Sequence, residues 1–177
     1  MFKTPSNKVL PRQGDPRKFA QHGVCLEGVI PVAELPRVVE ATESSDGEIQ
    51  VKLEFTISEE RKKVVIGNAS ADLTLVCQRC LEPVTVPVES SISLAIVWDE
   101  EAAKALPERF DPWIASEGIA DLYDMVEEEL LLSLPAVAYH EEPCLDSKLY
   151  SSGKPVEVKK EKNPFQVLEQ LKSSPKS

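Results

Sequence analysis

The chain has 177 residues, of which 42% are hydrophobic and 28% are charged, and this length and composition suffice for one domain with a hydrophobic core. They exclude a chain that is disordered throughout, and no apolar run reaches the roughly 18 residues that a membrane span requires. The net charge of -10 argues against a protein that coats nucleic acid, and the absence of an apolar signal segment near Met1 predicts a cytoplasmic protein.

The charge is unevenly distributed along the chain. Residues 1–22 carry five Lys and Arg against one Asp, and residues 147–177 carry seven against three acidic residues, so both ends are basic. Residues 99–146 carry two against fourteen, which concentrates the acidity in the middle. Basic ends are suited to phosphates, whereas an acidic body repels them or prefers basic partners such as ribosomal proteins. An ordinary solvated acidic face with basic tails fits the same distribution.

Alternating side chains predict an antiparallel sheet in the first half of the chain. From Ile49 to Ile57 every odd-numbered residue is apolar, and this period of two is typical of a strand with one buried face. Pro87, within a later alternating segment, indicates an edge or a bend because proline has no amide hydrogen to donate. The predicted strands, which together give a meander or a barrel-like sheet, are residues 49–57, 64–66, 69–77 and 84–98.

Helices are predicted around this sheet. Two short helical segments, residues 32–39 and 99–106, are interrupted or ended by prolines. The strongest prediction is a long helix over residues 121–134, because the carboxylate of its first residue can cap free backbone amides and Pro135 follows its end. The sequence therefore predicts an α+β fold in which a long helix packs on an antiparallel sheet, with short peripheral helices.

The strong helix carries one carboxylate on its predicted apolar face. At about 100° per residue, Glu129 projects beside Leu122, where an ionised carboxylate is costly unless it is paired or hydrogen-bonded. Glu129 is predicted either to reach water at the edge of that face or to form a buried pair with Arg79. The other residues on the apolar face are Met125, Val126, Leu130 and Leu132, and those on the opposite face are Asp124, Glu127 and Glu128.

The sequence predicts one domain followed by a linker and a short helix. Residues 1–146 are predicted to form a single α+β domain that begins with the basic segment 1–22. Residues 147–162 are predicted to form a flexible linker, because they are rich in Ser, Lys, Gly and Pro. Residues 163–172 are predicted to form a short C-terminal helix, because Asn and Pro suit its start. Its apolar residues recur at intervals of three and are Phe165, Leu168 and Leu171.

This short helix needs a docking surface to be ordered. An isolated helix of fewer than about 12 residues is marginal in water. The two alternatives are docking on its own domain and docking in a groove of a partner.

Two cysteines in the predicted hairpin suggest a metal site. Cys77 and Cys80 are separated by two residues, a spacing that lets both sulfurs approach one zinc ion at about 2.3 Å, and His140 and Cys144 are the remaining candidate ligands. The second pair does not have the usual close cysteine spacing, so the sequence favours two reduced structural cysteines over a zinc site, with Arg79 exposed at the tip of the turn and suited to phosphate or carboxylate. A redox role is disfavoured because the motif leads into a strand and does not begin a helix.

The sequence lacks the motifs that carry catalysis. It contains no glycine-rich phosphate loop, no serine nucleophile elbow and no paired-histidine zinc motif, and it has two histidines in total. The consecutive carboxylates of residues 127–129 fan out around a helix and do not converge on one ion. The chain is therefore predicted to be non-enzymatic and to have no small-molecule substrate.

Four segments match one known family in sequence order. They are Asp15–Ala20 with the following Glu27-Gly28, Cys77–Pro83, Asp121–Pro135 and Asn163–Lys172. Together they span nearly the whole chain, and they resemble the YceD family, the large ribosomal RNA subunit accumulation proteins of bacteria and plastids. Some relatives have additional cysteines after the strong helix, whereas this chain keeps only Cys144 there.

The resemblance implies a bacterial ribosome biogenesis factor that promotes synthesis, processing or stability of 23S rRNA, and hence its accumulation. Its expected partners are large-subunit rRNA, ribosomal proteins or assembly intermediates, with no membrane involved. No catalytic residue follows from it, and the one cofactor considered is a structural zinc. A zinc-stabilised protein–protein adaptor that acts on rRNA only indirectly is the alternative. The candidate contact residues are Arg17, Lys18, Arg79, Phe165, Leu168 and Leu171.

Overall fold

The computed structural model describes residues 8–116 and 118–145, and the described part up to Cys144 belongs to one compact unit. The linker predicted at 147–162 and the helix predicted at 163–172, with its three apolar residues, lie outside the described residues. In the described part, no helix is both long and apolar enough to cross a membrane.

The described fold is centred on β-strands. They are β1 Gln13–Gly14, β2 Cys25–Pro31, β3 Glu48–Ile57, β4 Lys63–Val76, β5 Pro83–Val97, β6 Asp111–Ile114 and β7 Ala120–Asp121. A five-stranded sheet has the order β2-β3-β4-β5-β6, and β1 pairs with β7 in a separate short ribbon. Neighbouring strands of the sheet are antiparallel except β5 and β6, which are parallel.

The helices lie around this sheet, and most begin with a recognisable cap. Asp15, Asp99 and Asp121 each precede a helix and accept backbone N–H groups of its first turn, as N-cap carboxylates do. The helices are α1 Pro16–His22, α2 Pro36–Ala41, α3 Glu100–Lys104 and α4 Leu122–Ser133, and a 3-10 turn, Val32–Glu34, precedes α2.

The fold is mixed α+β, as predicted, but the sheet does not close on itself. Two predicted strands join into β4, and the described residues end the sheet at β2 on one side and at β6 on the other. The barrel-like alternative is therefore wrong. Among the residues that the structure describes, Pro87 does lie at an edge, because β6 pairs with β5 only at Leu94–Val97.

The core lies between one face of the sheet and the helices. Alternation along β3 buries every second side chain from Ile49 to Phe55, and α4 packs against the same face. Burial of each large apolar side chain contributes about 1.5–3 kcal/mol, so this layer supplies much of the stability. The residues from β3 and α4 in this core are Ile49, Val51, Leu53, Phe55, Leu122, Val126 and Leu130.

The predicted faces of α4 are wrong at two positions. Glu127, predicted to face solvent, is 3% exposed, and its Oε1 accepts the backbone N–H groups of Arg37 and Val38 at 2.7 and 3.2 Å. It thereby caps α2, whose own N-cap residue Leu35 supplies no side-chain hydrogen bond. Leu132, predicted to be buried, is 81% exposed, because it lies one turn after the exposed Glu128 on the same side of α4.

Candidate metal centre

A tight hairpin between β4 and β5 holds the first two candidate ligands. The backbone N–H of Leu81 donates to the Cys77 carbonyl at 2.9 Å, and the N–H of Cys77 donates to the Glu82 carbonyl at 2.9 Å. Leu81 has a φ of 62°, in the left-handed region that tight turns use. In this closed turn the sulfur atoms of Cys77 and Cys80 lie within 4.8 Å of each other.

The segment after α4 returns to this hairpin and supplies the other two ligands. Ala138 is buried in a small apolar cluster, and its carbonyl accepts the N–H of Gln78 at 2.9 Å. This anchor brings His140 and Cys144 over the hairpin. The other buried members of the cluster are Leu75, Cys77 and Val84.

The four side chains together form a geometry that can hold a metal ion. The ligand atoms of Cys77, Cys80, His140 and Cys144 all lie within 4.8 Å of one another. The Sγ atoms of Cys77 and Cys144 are 3.7 Å apart, and Sγ of Cys80 lies 3.5 Å from Nδ1 of His140. Zinc bonds of about 2.3 Å to sulfur and 2.0–2.1 Å to nitrogen in a tetrahedron imply separations of about 3.8 and 3.6 Å.

The ring of His140 is oriented for ligation by its second nitrogen. Nε2 lies 3.2 Å from the carbonyl oxygen of Pro83, which can only accept a hydrogen bond. A proton on Nε2 leaves Nδ1 with a lone pair directed towards Cys80. Metal-ligating histidines are held by such an outer hydrogen bond, because it fixes the tautomer and the ring plane.

The surroundings of Cys77 favour its thiolate, the form that binds metals. Burial alone raises the pKa of this thiol, but hydrogen bonds from the backbone N–H groups of Cys80, Arg79 and His140 outweigh burial and lower the pKa to about 5. The pKa of Cys144 is raised by burial and by its hydrogen bonds with Cys80 and Cys77. A cation at the centre would offset the cost of placing several sulfurs together.

Arg79 has a different position from the exposed tip that the sequence predicted. Its guanidinium is partly buried, donates to the carbonyl oxygens of His140 and Glu142 and lies over the ring of Tyr139. The residue that projects at the tip is Leu81, which is 74% exposed. Arg79 therefore joins the hairpin to the segment after α4, because one terminal nitrogen, Nη2, donates to two carbonyls of that segment.

The predicted buried pair between Glu129 and Arg79 is absent from the described residues. Glu129 is partly buried on α4, and burial, followed by the negative charges of Asp111 and Glu128, raises its pKa.

The basic candidates on α1 differ in exposure. Arg17 is 7% exposed and its guanidinium lies against the ring of Trp98, so this side chain does not present a charge at the surface. Lys18 is exposed and forms an ion pair of 3.3 Å with Asp15. The Asp15-Pro16 dipeptide marks the start of α1. This sequence signal could have indicated that Arg17 lies in the first turn of a helix.

The chain is similar to known proteins over most of its length. A model of the family described as Large ribosomal RNA subunit accumulation protein YceD matches residues 65–172. The Large ribosomal RNA subunit accumulation protein YceD of Haemophilus influenzae is 35% identical over 167 residues, which cover 92% of this chain and 96% of that protein. No solved structure matches the chain.

Proposed function

This chain belongs to the YceD family of large ribosomal RNA subunit accumulation proteins, and on that basis we propose that it is a non-enzymatic factor promoting accumulation of 23S rRNA in the cytoplasm. The observation that carries the proposal is the similarity to a relative of that name over 92% of this chain and 96% of the relative. Support also comes from the candidate site. Its four protein ligands would occupy all four coordination positions of a tetrahedral metal ion and leave none for a substrate.

The proposed ion at the cysteine centre is a structural zinc. Three sulfurs and one imidazole form a soft ligand set that suits zinc and disfavours magnesium or calcium. Cys77 and Cys80 lie in the hairpin and His140 and Cys144 follow α4, so the ion would cross-link two chain segments that pack through a small apolar cluster. The zinc supplies folding free energy to this end of the molecule and takes no part in a reaction.

The function is tested by removing the protein from the cell. Cells that lack the gene are compared with cells that carry the wild-type gene, and ribosomal particles are separated on sucrose gradients. We expect loss of mature large subunits and an excess of free small subunits. Large-subunit levels that do not change would contradict the proposed function.

The second candidate function is a protein–protein adaptor that affects rRNA only indirectly. The observation that favours it is the acidic middle of the chain, where residues 99–146 carry fourteen acidic and two basic residues. Direct contact with phosphates makes affinity fall steeply with salt, because counterions are released on binding. Measuring binding of purified protein to a labelled 23S rRNA fragment at increasing salt separates the two functions, since an adaptor shows no such binding.

A further inference from the structure

A groove between β6 and α4 lies outside the cysteine centre. Its volume is about 470 Å³, and its lining combines apolar and acidic side chains. Ile114 and Ile119 are 46% and 65% exposed, which is high for side chains of this size. Asp121, Asp124 and Glu128 line the helix side of the groove. The groove thus offers an apolar floor beside a row of carboxylates.

Part of the lining of this groove, residues 112–114, belongs to β6, a strand with an open edge. β6 is the last strand of the sheet, and within the described residues no strand pairs with its outer side. The N–H of Ala115 donates to the carbonyl of Val97 at 2.9 Å, so strand alternation directs the N–H and C=O of Ile114 away from β5. Pro112 has the same outward orientation but no N–H, so the open edge offers the carbonyls of Pro112 and Ile114 and the N–H of Ile114. An extended peptide can form backbone hydrogen bonds with such an edge.

The charge of this surface selects the class of peptide. The groove belongs to the segment 99–146, with its fourteen acidic and two basic residues. Asp124 has no ion pair among the described residues, and Glu128 has one exposed pair with an arginine of α2. The raised pKa of Glu129, caused first by burial and then by Asp111 and Glu128, agrees with an excess of negative charge here. A partner with positive side chains would relieve this repulsion.

We propose that this groove, named here the β6–α4 groove, binds an extended lysine- or arginine-rich protein segment that adds to the edge of β6. The apolar side chains of the bound segment contact Ile114 and Ile119, and its cationic side chains face Asp124 and Glu128. RNA is the wrong partner for this surface because carboxylates repel phosphates. The inference rests on the proposed function, since it names the chemistry of a ribosome-associated partner.

The test uses the full chain and a short fluorescent peptide of alternating lysine and valine, with binding followed by anisotropy. The double variant Asp124→Asn with Glu128→Gln removes two negative charges from the groove. We expect it to bind the peptide about fivefold to tenfold more weakly than wild type, the effect of two exposed charge contacts. The matched control is Glu27→Gln with Glu54→Gln, two exposed carboxylates on β2 and β3 across the sheet, and wild-type affinity is expected.

A third variant separates the groove from general electrostatics. Ile114→Ser keeps the charge but removes apolar contact area, and weaker binding is expected here too. Equal losses in the groove and control double variants would overturn the proposal, and so would competition by a labelled 23S rRNA fragment for the peptide site. These binding results test the groove proposal and leave the proposed function untouched. The proposed function is contradicted by a different result, namely large-subunit levels that do not change in cells without the protein.

Discussion

The carboxylate of Glu127 in α4 accepts the backbone N–H of Arg37 in α2 at 2.7 Å, across 90 positions of the chain. It accepts the N–H of Val38 as well, so one buried side chain satisfies two amides at the start of a helix that lacks a cap of its own. The contact fixes α2 against α4 and replaces the local Ser, Thr, Asp or Asn that usually begins a helix.

Removal of the Glu127 carboxylate should therefore destabilise the domain. We predict that Glu127→Ala lowers the free energy of unfolding by about 1–3 kcal/mol, because two buried amides lose their acceptor. Urea unfolding followed by circular dichroism measures the change. Glu128→Ala is the control, since Glu128 is exposed and its pair with Arg37 is expected to contribute less than about 1 kcal/mol. Equal effects of the two substitutions would contradict the capping role.

Metal content tests the cysteine centre. Purified protein is predicted to contain one zinc per chain, and Cys77→Ser is predicted to lose it, because three ligands hold the ion more weakly than four. Elemental analysis after extensive dialysis gives the stoichiometry. Cys25→Ser is the matched control, because Cys25 is an exposed cysteine on β2 outside the cluster. Wild-type protein without bound zinc, purified with zinc supplied, would contradict the zinc site.

Arg79 should support the centre without being a ligand. We predict that Arg79→Ala speeds the release of zinc to a chelator, because the two carbonyls that it joins, those of His140 and Glu142, lose their common donor. A chromogenic chelator measures the rate. Lys52→Ala removes an exposed positive charge from β3 and should leave the rate unchanged. A similar acceleration in both variants would show that Arg79 acts only through its charge.

The pKa of Glu129 gives a prediction about pH. A carboxyl whose folded-state pKa is raised stabilises the fold while protonated, below its unfolded pKa of about 4.3, and loses that stabilisation as the pH rises through the folded pKa. Glu129→Gln should therefore be more stable than wild type at pH 7, and this advantage should vanish below about pH 4. Urea unfolding at both pH values measures it. An advantage that is the same at both values would contradict this assignment.

The sequence predicted the parts of the fold that depend on local patterns. Alternation predicted the strands from Ile49 to Val97, and a capping aspartate and a following proline predicted both ends of α4. The sequence also named the four side chains whose ligand atoms lie within 4.8 Å of one another, because cysteine and histidine are few in this chain.

The remaining features depend on contacts between distant segments. β6 is short and joins β5 in parallel, so no alternation within it predicted a strand. The burial of Glu127 results from α2 packing on α4, and helical periodicity placed the residue on the solvent side. Arg79 turned inward because carbonyls after α4 lie within its reach, which the hairpin sequence alone did not indicate.

The central claim, that this protein promotes large-subunit rRNA accumulation by binding, is tested most directly by the ratio of 23S rRNA to small-subunit rRNA in cells without it. We predict that the ratio falls and that the wild-type gene and Cys25→Ser both restore it. Cys77→Ser should restore it less, because its hairpin loses the metal cross-link. A ratio that does not differ between cells with and without the protein would contradict the account.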